Sequence, residues 1–406
     1  MSSKNMSSSS SSSFSFSFST NLPDIWVYAK KVSLLCFWTA TASRFPKIVA
    51  VRTFLIDSSG IGGDYHNVER GHWLIDNDIL NPMSRYEKYR ASRVSWGINV
   101  LGSFCIELEA DDGTIGFATG FGGPPACWLV KHHFERFIIG VDPRDYNLLW
   151  EQLFRASMFY GRKGLTIAYI SVIDLALWDL LGKIRNEPVL LPFGPDEGHI
   201  GLQENVEFLR QHREAVGSDF PLMDLNINWF EEVLHPDDFD GFMQLRAAVP
   251  WMKWTTGEHE YTKYGFRKLI ENRAVDILQP DVMWLGSITE LVKLAAQAAA
   301  YDIPVVPHAS GPYSYHFVAS QNNTPFQEYL ANSPDSKSVL PVFGGLFTNE
   351  PIPSKGYLDV TVLDRPGFGL EVNPRITLIP ADHVLSPSPQ KPLVANNDDS
   401  KNNHNK

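Results

Sequence analysis

Five ionisable residues recur between Trp229 and Tyr329, each at the end of a short apolar or β-branched run: WFEE, TTGEHE, LQPD, VVPH and FQEY. From Glu231 to Glu258, Asp281, His308 and Glu328 the steps are 27, 23, 27 and 20 residues. Carboxylates brought together in this way offer hard oxygen ligands to a cation such as Mg2+. An imidazole among them is the side chain best placed to take a proton near neutral pH, and a neighbouring Asp fixes its tautomer and raises its basicity. The chemistry suggested is removal of a weakly acidic proton beside a carboxylate, with fixed positive charge holding the dianion that develops and the same imidazolium available to protonate a leaving hydroxyl.

Such a site needs elements that bring distant residues to one place. Amphipathic segments separate the five runs, as in ITELVKLAAQAAAYD from Ile288 to Asp302, where apolar positions return at helical spacing. Alternating strand and helix at this period argues for parallel strands with helices outside. In a barrel the C-terminal strand ends share one mouth, where catalytic groups of that fold sit. The competing explanation is that the acids cap the helices that follow; it accounts for one position more readily than for five with a His among them.

The 406-residue chain is long enough for two or three domains and a large core. With 44% hydrophobic and 20% charged residues it has the composition of a soluble globular protein. A net charge of −11 argues against nucleic acid and anionic membrane as partners, and an anionic substrate would need a local positive centre. Cys36, Cys105 and Cys127 contain no CxxC pair, so neither a disulfide framework nor a zinc site is expected, and the cytoplasm fits.

Residues 1–45 read as an extension outside the fold. Ser with interleaved Phe dominates residues 2–20. Lys30, Lys31 and the apolar run Val32–Ala42 imitate a signal peptide, yet the run is too short to span a bilayer and begins late. From Pro46 the chain becomes regular: KIVAVRTFLI is a strand and INVLGSFCIELEADDGTIGFATGF a hairpin turning at Asp112-Gly113. Two helical stretches follow, completing an α+β domain over 46–165. Its glycine-rich loop Gly60–Trp73 carries His66 and His72 and is either a lid or a surface connection. ISVIDLALWDLLGK is an apolar helix expected to end at Gly182. The polar tail 386–406 is expected to be disordered.

The segment ISVIDLALWDLLGK, with WFEE, GEHE, QPD, VVPHASGPYSYH and TPFQEYL, resembles the mandelate racemase branch of the enolase superfamily. GGDYH, SRVSWGINVLG and NEPIPSKGYLDV…PGFGLEVNP look like the L-rhamnonate dehydratase group of that branch, its fungal members in particular. The resemblance runs from about 46 to 375. It implies an α/β fold, a modified (β/α)7β barrel over 166–335 with an N-terminal α+β capping domain, and a C-terminal segment over 336–385 returning to that domain. It implies a Mg2+-dependent hydro-lyase that removes water from a sugar acid to give a 2-keto-3-deoxy acid, in a homo-oligomer. Residue by residue, Glu231 and Glu258 match metal ligands, His308 the general base, Asp281 the carboxylate bonded to it, and Glu328 the acid beside the enolate oxygen. His66 and Arg93 match substrate contacts of the capping domain. From residue chemistry alone, Arg93 could instead be a salt-bridged core residue and Glu328 a helix cap.

The chain departs from this pattern. A complete barrel takes about 250 residues, whereas Thr166–Asn332 spans 167. After Val189 the chain passes directly to LLPFGPDEGH, and after Met223 directly to DLNINWFEE. Roughly one and a half βα units are missing, at about 30 residues or more for each βαβ unit. With them goes the strand-end Asp that would be the first metal ligand, so the barrel is expected to be incomplete. Asp224 lies too close to Glu231 to replace it. Glu260 would face the same side as Glu258 if that strand continued. Two functional readings stay open: an acid-sugar dehydratase, for L-rhamnonate or another hexonate such as L-galactonate, and a catalytically impaired pseudoenzyme or incomplete gene model.

Overall fold

The computed structural model describes residues 44–56, 85–89, 102–190, 228–329 and 339–381. The chain divides into two compact units, Met1–Phe45 and Pro46–Lys406, and every helix and strand described belongs to the second. His66 and Arg93, the helix GLQENVEFLRQHREAVG and residues 191–227 around Asp224 lie outside the described residues.

An antiparallel sheet opens the second unit. β1 (Ile48–Ile56) pairs with β2 (Ser103–Ala110), which forms a hairpin with β3 (Ile115–Phe121). The turn uses Asp112-Gly113: Gly113 has φ 86°, and the Asp112 carboxylate accepts from Thr114 N at 2.9 Å. Helix α1 (Gly123–Leu129) runs on through a π turn (Val130–Phe134), and α2 (Tyr146–Ala156) buries Leu149, Trp150, Leu153 and Phe154.

Against β2 and β3 lies α3 (Leu165–Arg185), whose residues 166–177 are all buried. It is long and apolar enough to cross a membrane, but 89% of its most apolar window is covered by protein, as in a core helix. α3 does not stop at Gly182; it continues to Arg185 and ends on Asn186 in the left-handed conformation. Gly182 serves a close approach instead, since a Cβ there would stand 2.7 Å from Gly367 Cα.

One turn earlier, Asp179 ties three parts together. Its carboxylate accepts from Phe117 N of β3 at 2.9 Å and Phe368 N of the C-terminal segment at 3.0 Å, and pairs with Lys183 at 2.7 Å. Asp179→Ala leaves two buried N–H groups and an ammonium without their acceptor, so a loss of about 3 kcal/mol or more is expected. A urea midpoint unchanged from wild type would contradict this.

A parallel sheet comes next along the chain. β4 (Phe230–Glu231) pairs with β5 (Trp254–Thr256), and β5 with β6 (Ile277–Leu278). A parallel bridge carries the order on from Leu278 to Val305. Helices α4 (Phe239–Ala248), α5 (Thr262–Glu271), α6 (Ser287–Ala299) and α7 (Pro312–Ser320) each follow one of these four strand positions. The fifth expected strand, FQEY, forms no ladder with its neighbour. Pro307 and Pro325 lack the N–H groups such a ladder needs, and the contacts seen are Val305 N to Asn323 O at 2.9 Å and the Gln327 side chain to Pro307 O at 3.3 Å. β7 (Leu378–Pro380) returns to pair antiparallel with β1.

Candidate active site

The register explains why the strand-end groups meet. Glu231 stands opposite Thr255, Thr256 opposite Leu278, and Leu278 opposite Val305. Residues just beyond each position, Glu232, Glu258, Gln279 to Asp281 and His308, therefore emerge from the same edge of the sheet.

His308 is at the centre. Its backbone N–H donates to Pro280 O at 2.9 Å, extending the parallel ladder by one rung. Its Nδ1 lies 2.9 Å from Asp281 Oδ2 and its Nε2 2.7 Å from Glu258 Oε2. Asp281 is held in turn by the N–H of Met283, 2.7 Å from Oδ1. Burial pulls the His308 pKa down, but the hydrogen bonds and negative charges of Asp281 and Glu258 carry it well above the usual imidazole value.

Glu258 reaches His308 because the chain turns at Gly257. This residue has φ 145°, and a Cβ there would meet the Gln279 backbone at 3.0 Å. Gly257→Ala is thus expected to cost about 1–3 kcal/mol through backbone strain and to misplace Glu258. An unchanged melting temperature would show the turn to be permissive. The same bend ends the strand at Thr256, so the alternation that would align Glu260 with Glu258 is lost. Glu260 is buried elsewhere, 2.6 Å from Lys163 Nζ and 2.7 Å from Tyr261 N, and does not join the group.

Glu231 Oε2 accepts from Gln279 Nε2 at 3.1 Å. Its pKa is pushed up to about 7, first by burial and then by the negative charge of Glu328, with Glu258 adding to this and His308 and Gln279 opposing it. Glu328 Oε2 accepts from Ala309 N, 3.1 Å away. Ala309 precedes α7 and belongs to the loop that carries His308, so Glu328 is no helix cap. The structure thus gathers Glu231, Glu258, Asp281, His308 and Glu328.

Four residues were missed by the spacing argument. Glu232, at φ 44°, turns its carboxylate to Thr256 Oγ1 at 2.9 Å and His259 Nδ1 at 2.7 Å. His259 Nδ1 is also 3.1 Å from Glu258 Oε1, and its hydrogen bond to Glu232 raises its pKa. Gln279, two residues before Asp281, sits on the same strand face, which period-two alternation could have shown. Trp284 walls the site: its ring lies 6.0 Å from that of His259, 6.1 Å from His308 and 5.8 Å from Phe121 of β3.

With this geometry established, known proteins give it a context. The mandelate racemase / muconate lactonizing enzyme N-terminal domain matches residues 102–192, and the enolase C-terminal domain-like family matches 220–376. L-rhamnonate dehydratase of Saccharopolyspora erythraea is 42% identical over 393 residues, covering 83% of this chain and all of the relative. The covered part of this chain is about 337 residues, so more than fifty positions of that alignment have no counterpart here. Rhamnonate dehydratase from Gibberella zeae, crystallised with Mg, is 61% identical, with a TM-score of 0.73 over 84% of this chain and 98% of that one. The 3,6-anhydro-D-galactonate cycloisomerase of Zobellia galactanivorans, 24% identical, shares the fold, with a TM-score of 0.55 over 80% of this chain and 97% of its own. The chain belongs to the mandelate racemase / muconate lactonizing enzyme family of the enolase superfamily, with its modified barrel and N-terminal capping domain.

Proposed function

We propose that this protein is a Mg2+-dependent acid-sugar dehydratase of the L-rhamnonate type, a soluble cytoplasmic hydro-lyase that works as a homo-oligomer. The observation that carries the reading is the Asp281–His308 pair beside the carboxylates of Glu231, Glu258 and Glu328. Those oxygens suit a hard divalent cation: their mutual repulsion helps to drive Glu231 upward, and a cation would relieve it. Glu231 and Glu258 would hold Mg2+, which when bound polarises the substrate carboxylate and stabilises the charge that develops there.

The protein's own residues supply the rest. His308 Nε2 removes the proton beside the carboxylate, while Asp281 fixes the tautomer by accepting from Nδ1. The resulting imidazolium returns the proton to the departing hydroxyl. Glu328 stands beside the enolate oxygen, steered by the Ala309 N–H. His66 and Arg93 contact the substrate from the capping domain, where a guanidinium matches a planar carboxylate or sugar hydroxyls. The boundaries that go with this reading are 1–45, 46–165, 166–335, 336–385 and 386–406.

The alignment deficit favours a second reading: that the chain as written lacks coding segments, including the first metal ligand, and is impaired. Transcript sequencing across codons 189–190 and 223–224 separates the two. Formation of 2-keto-3-deoxy acid from L-rhamnonate by the chain as written, dependent on Mg2+, supports the first. Absence of product, with weak Mg2+ binding in calorimetry, supports the second. Turnover of L-galactonate but not L-rhamnonate would reassign the substrate within the same chemistry.

A further inference from the structure

We propose that Gln279 is a positioning residue for metal binding: its amide links the Thr255 hydroxyl to Glu231 and holds the Glu231 carboxylate where a divalent cation would take it. This role rests on Glu231 being one of the two carboxylates that would hold Mg2+, as proposed above. Glu231 ends β4, and Glu232 after it has turned to φ 44°. The ladder fixes the backbone there, through Glu232 N to Thr255 O at 3.0 Å, but leaves a long side chain its choice of rotamers. Glu328 and Glu258 both act on Glu231 as like charges, which favours a carboxylate that swings away. Something must hold it in place.

Gln279 is built to do so. It follows β6 directly, and its own backbone is pinned: its N–H donates to Thr256 O at 3.0 Å, and it lies so near Gly257 that a Cβ there would stand 3.0 Å away. From β6 the side chain reaches past β5, the intervening strand, to β4. The Thr255 hydroxyl on β5 donates to Gln279 Oε1, and Gln279 Nε2 donates to Glu231 Oε2 at 3.1 Å. Gln279 and Thr255 are both fully buried, so water does not compete for these bonds.

A fold-supporting amide looks different. Asn323 Nδ2 donates to two backbone carbonyls, Ala295 O at 3.0 Å and Ile303 O at 3.3 Å, and so ties segments of chain together. The Gln279 amide instead bonds only side chains among the described residues, one of them a proposed metal ligand. Burying an amide is costly unless it is paired, and here the pairing serves Glu231. Hydrogen bonds behind a ligating carboxylate orient it before the ion arrives, and their loss typically weakens metal binding 10- to 100-fold.

The full-length chain is titrated with MgCl2 by calorimetry, without substrate, for wild type, Gln279→Met, Thr255→Val, Thr255→Ser and the Gln279→Met/Thr255→Val double variant. Met fills the space of the Gln side chain but cannot donate. Expected are Mg2+ binding at least ~10-fold weaker in Gln279→Met, a smaller loss in Thr255→Val, and rescue in Thr255→Ser, which keeps the hydroxyl. The double variant should bind no more weakly than Gln279→Met, because the hydroxyl acts through the amide. If Gln279→Met does not fold by circular dichroism, Thr255→Val against Thr255→Ser decides alone. Unchanged affinity in Gln279→Met, additive losses in the double variant, or a wild type that binds no Mg2+ would overturn the assignment and leave Gln279 a core amide. Binding that weakens as expected in a chain that dehydrates no acid sugar would support the role of Gln279 while refuting the dehydratase reading.

Discussion

Replacing His308 with Asn is expected to lower dehydration of an acid sugar by about 10²–10⁴-fold, the usual contribution of a positioned general base. Asn keeps a polar group near Asp281 but cannot accept the proton. The pH profile adds a check. Burial works against the charged imidazole, yet Asp281 and Glu258 raise its pKa well above 6.5, so the rate should climb as pH rises through that shifted value. Asp281→Asn removes one of the two anions; the rising limb should move to lower pH while the maximum rate falls. A limb that stays in place would mean that some other group limits the rate.

The same shift has a consequence for stability. A histidine whose pKa rises on folding stabilises the fold fully below its unfolded value near 6.5, and that contribution is lost as pH climbs through the folded value. The melting-temperature gap between wild type and His308→Asn should therefore be widest in acid and narrow in base. A gap that widened with pH would show that the imidazole is buried neutral.

Glu258→Gln is expected to have the next largest effect, because Glu258 is the one carboxylate among the described residues that contacts both imidazoles, His308 at 2.7 Å and His259 at 3.1 Å. It is also one of the two carboxylates proposed to hold Mg2+. The amide loses the charge that holds a cation, so divalent-ion affinity should drop at least ~10-fold, and turnover should fall with it. His308 then loses one anionic partner, and its pKa should decline toward the ordinary range. Calorimetry with MgCl2, together with the pH dependence of diethyl pyrocarbonate modification of the histidines, measures the two effects. Retained Mg2+ binding would remove Glu258 from the ligand set.

Much of this architecture was legible in the chain. Asp112-Gly113 announced the hairpin because a tight turn between strands needs a residue that tolerates positive φ. The steps of 27, 23 and 27 residues announced parallel strands with helices between them, and the register of β4, β5, β6 and Val305 follows that order; the last step of 20, to the FQEY segment, gives no strand. The end of α3 was misjudged at Gly182, because glycine stops a helix only where the backbone turns left-handed. There it makes room for Gly367, a partner 185 residues away.

What the sequence alone determined is the set of chemical types, Glu231, Glu258, Asp281, His308 and Glu328, and, for the first four, the successive parallel strand positions they follow. Local pattern suffices for that, since residue type and periodicity are properties of neighbours along the chain. What only the tertiary structure decided is direction. Gly257 bends the backbone so that Glu258 turns to His308 while Glu260 is taken by Lys163, and Glu232, in a left-handed conformation, turns to His259. Those outcomes depend on backbone torsions and on charges brought close by strands far apart in sequence, and neither is encoded in spacing.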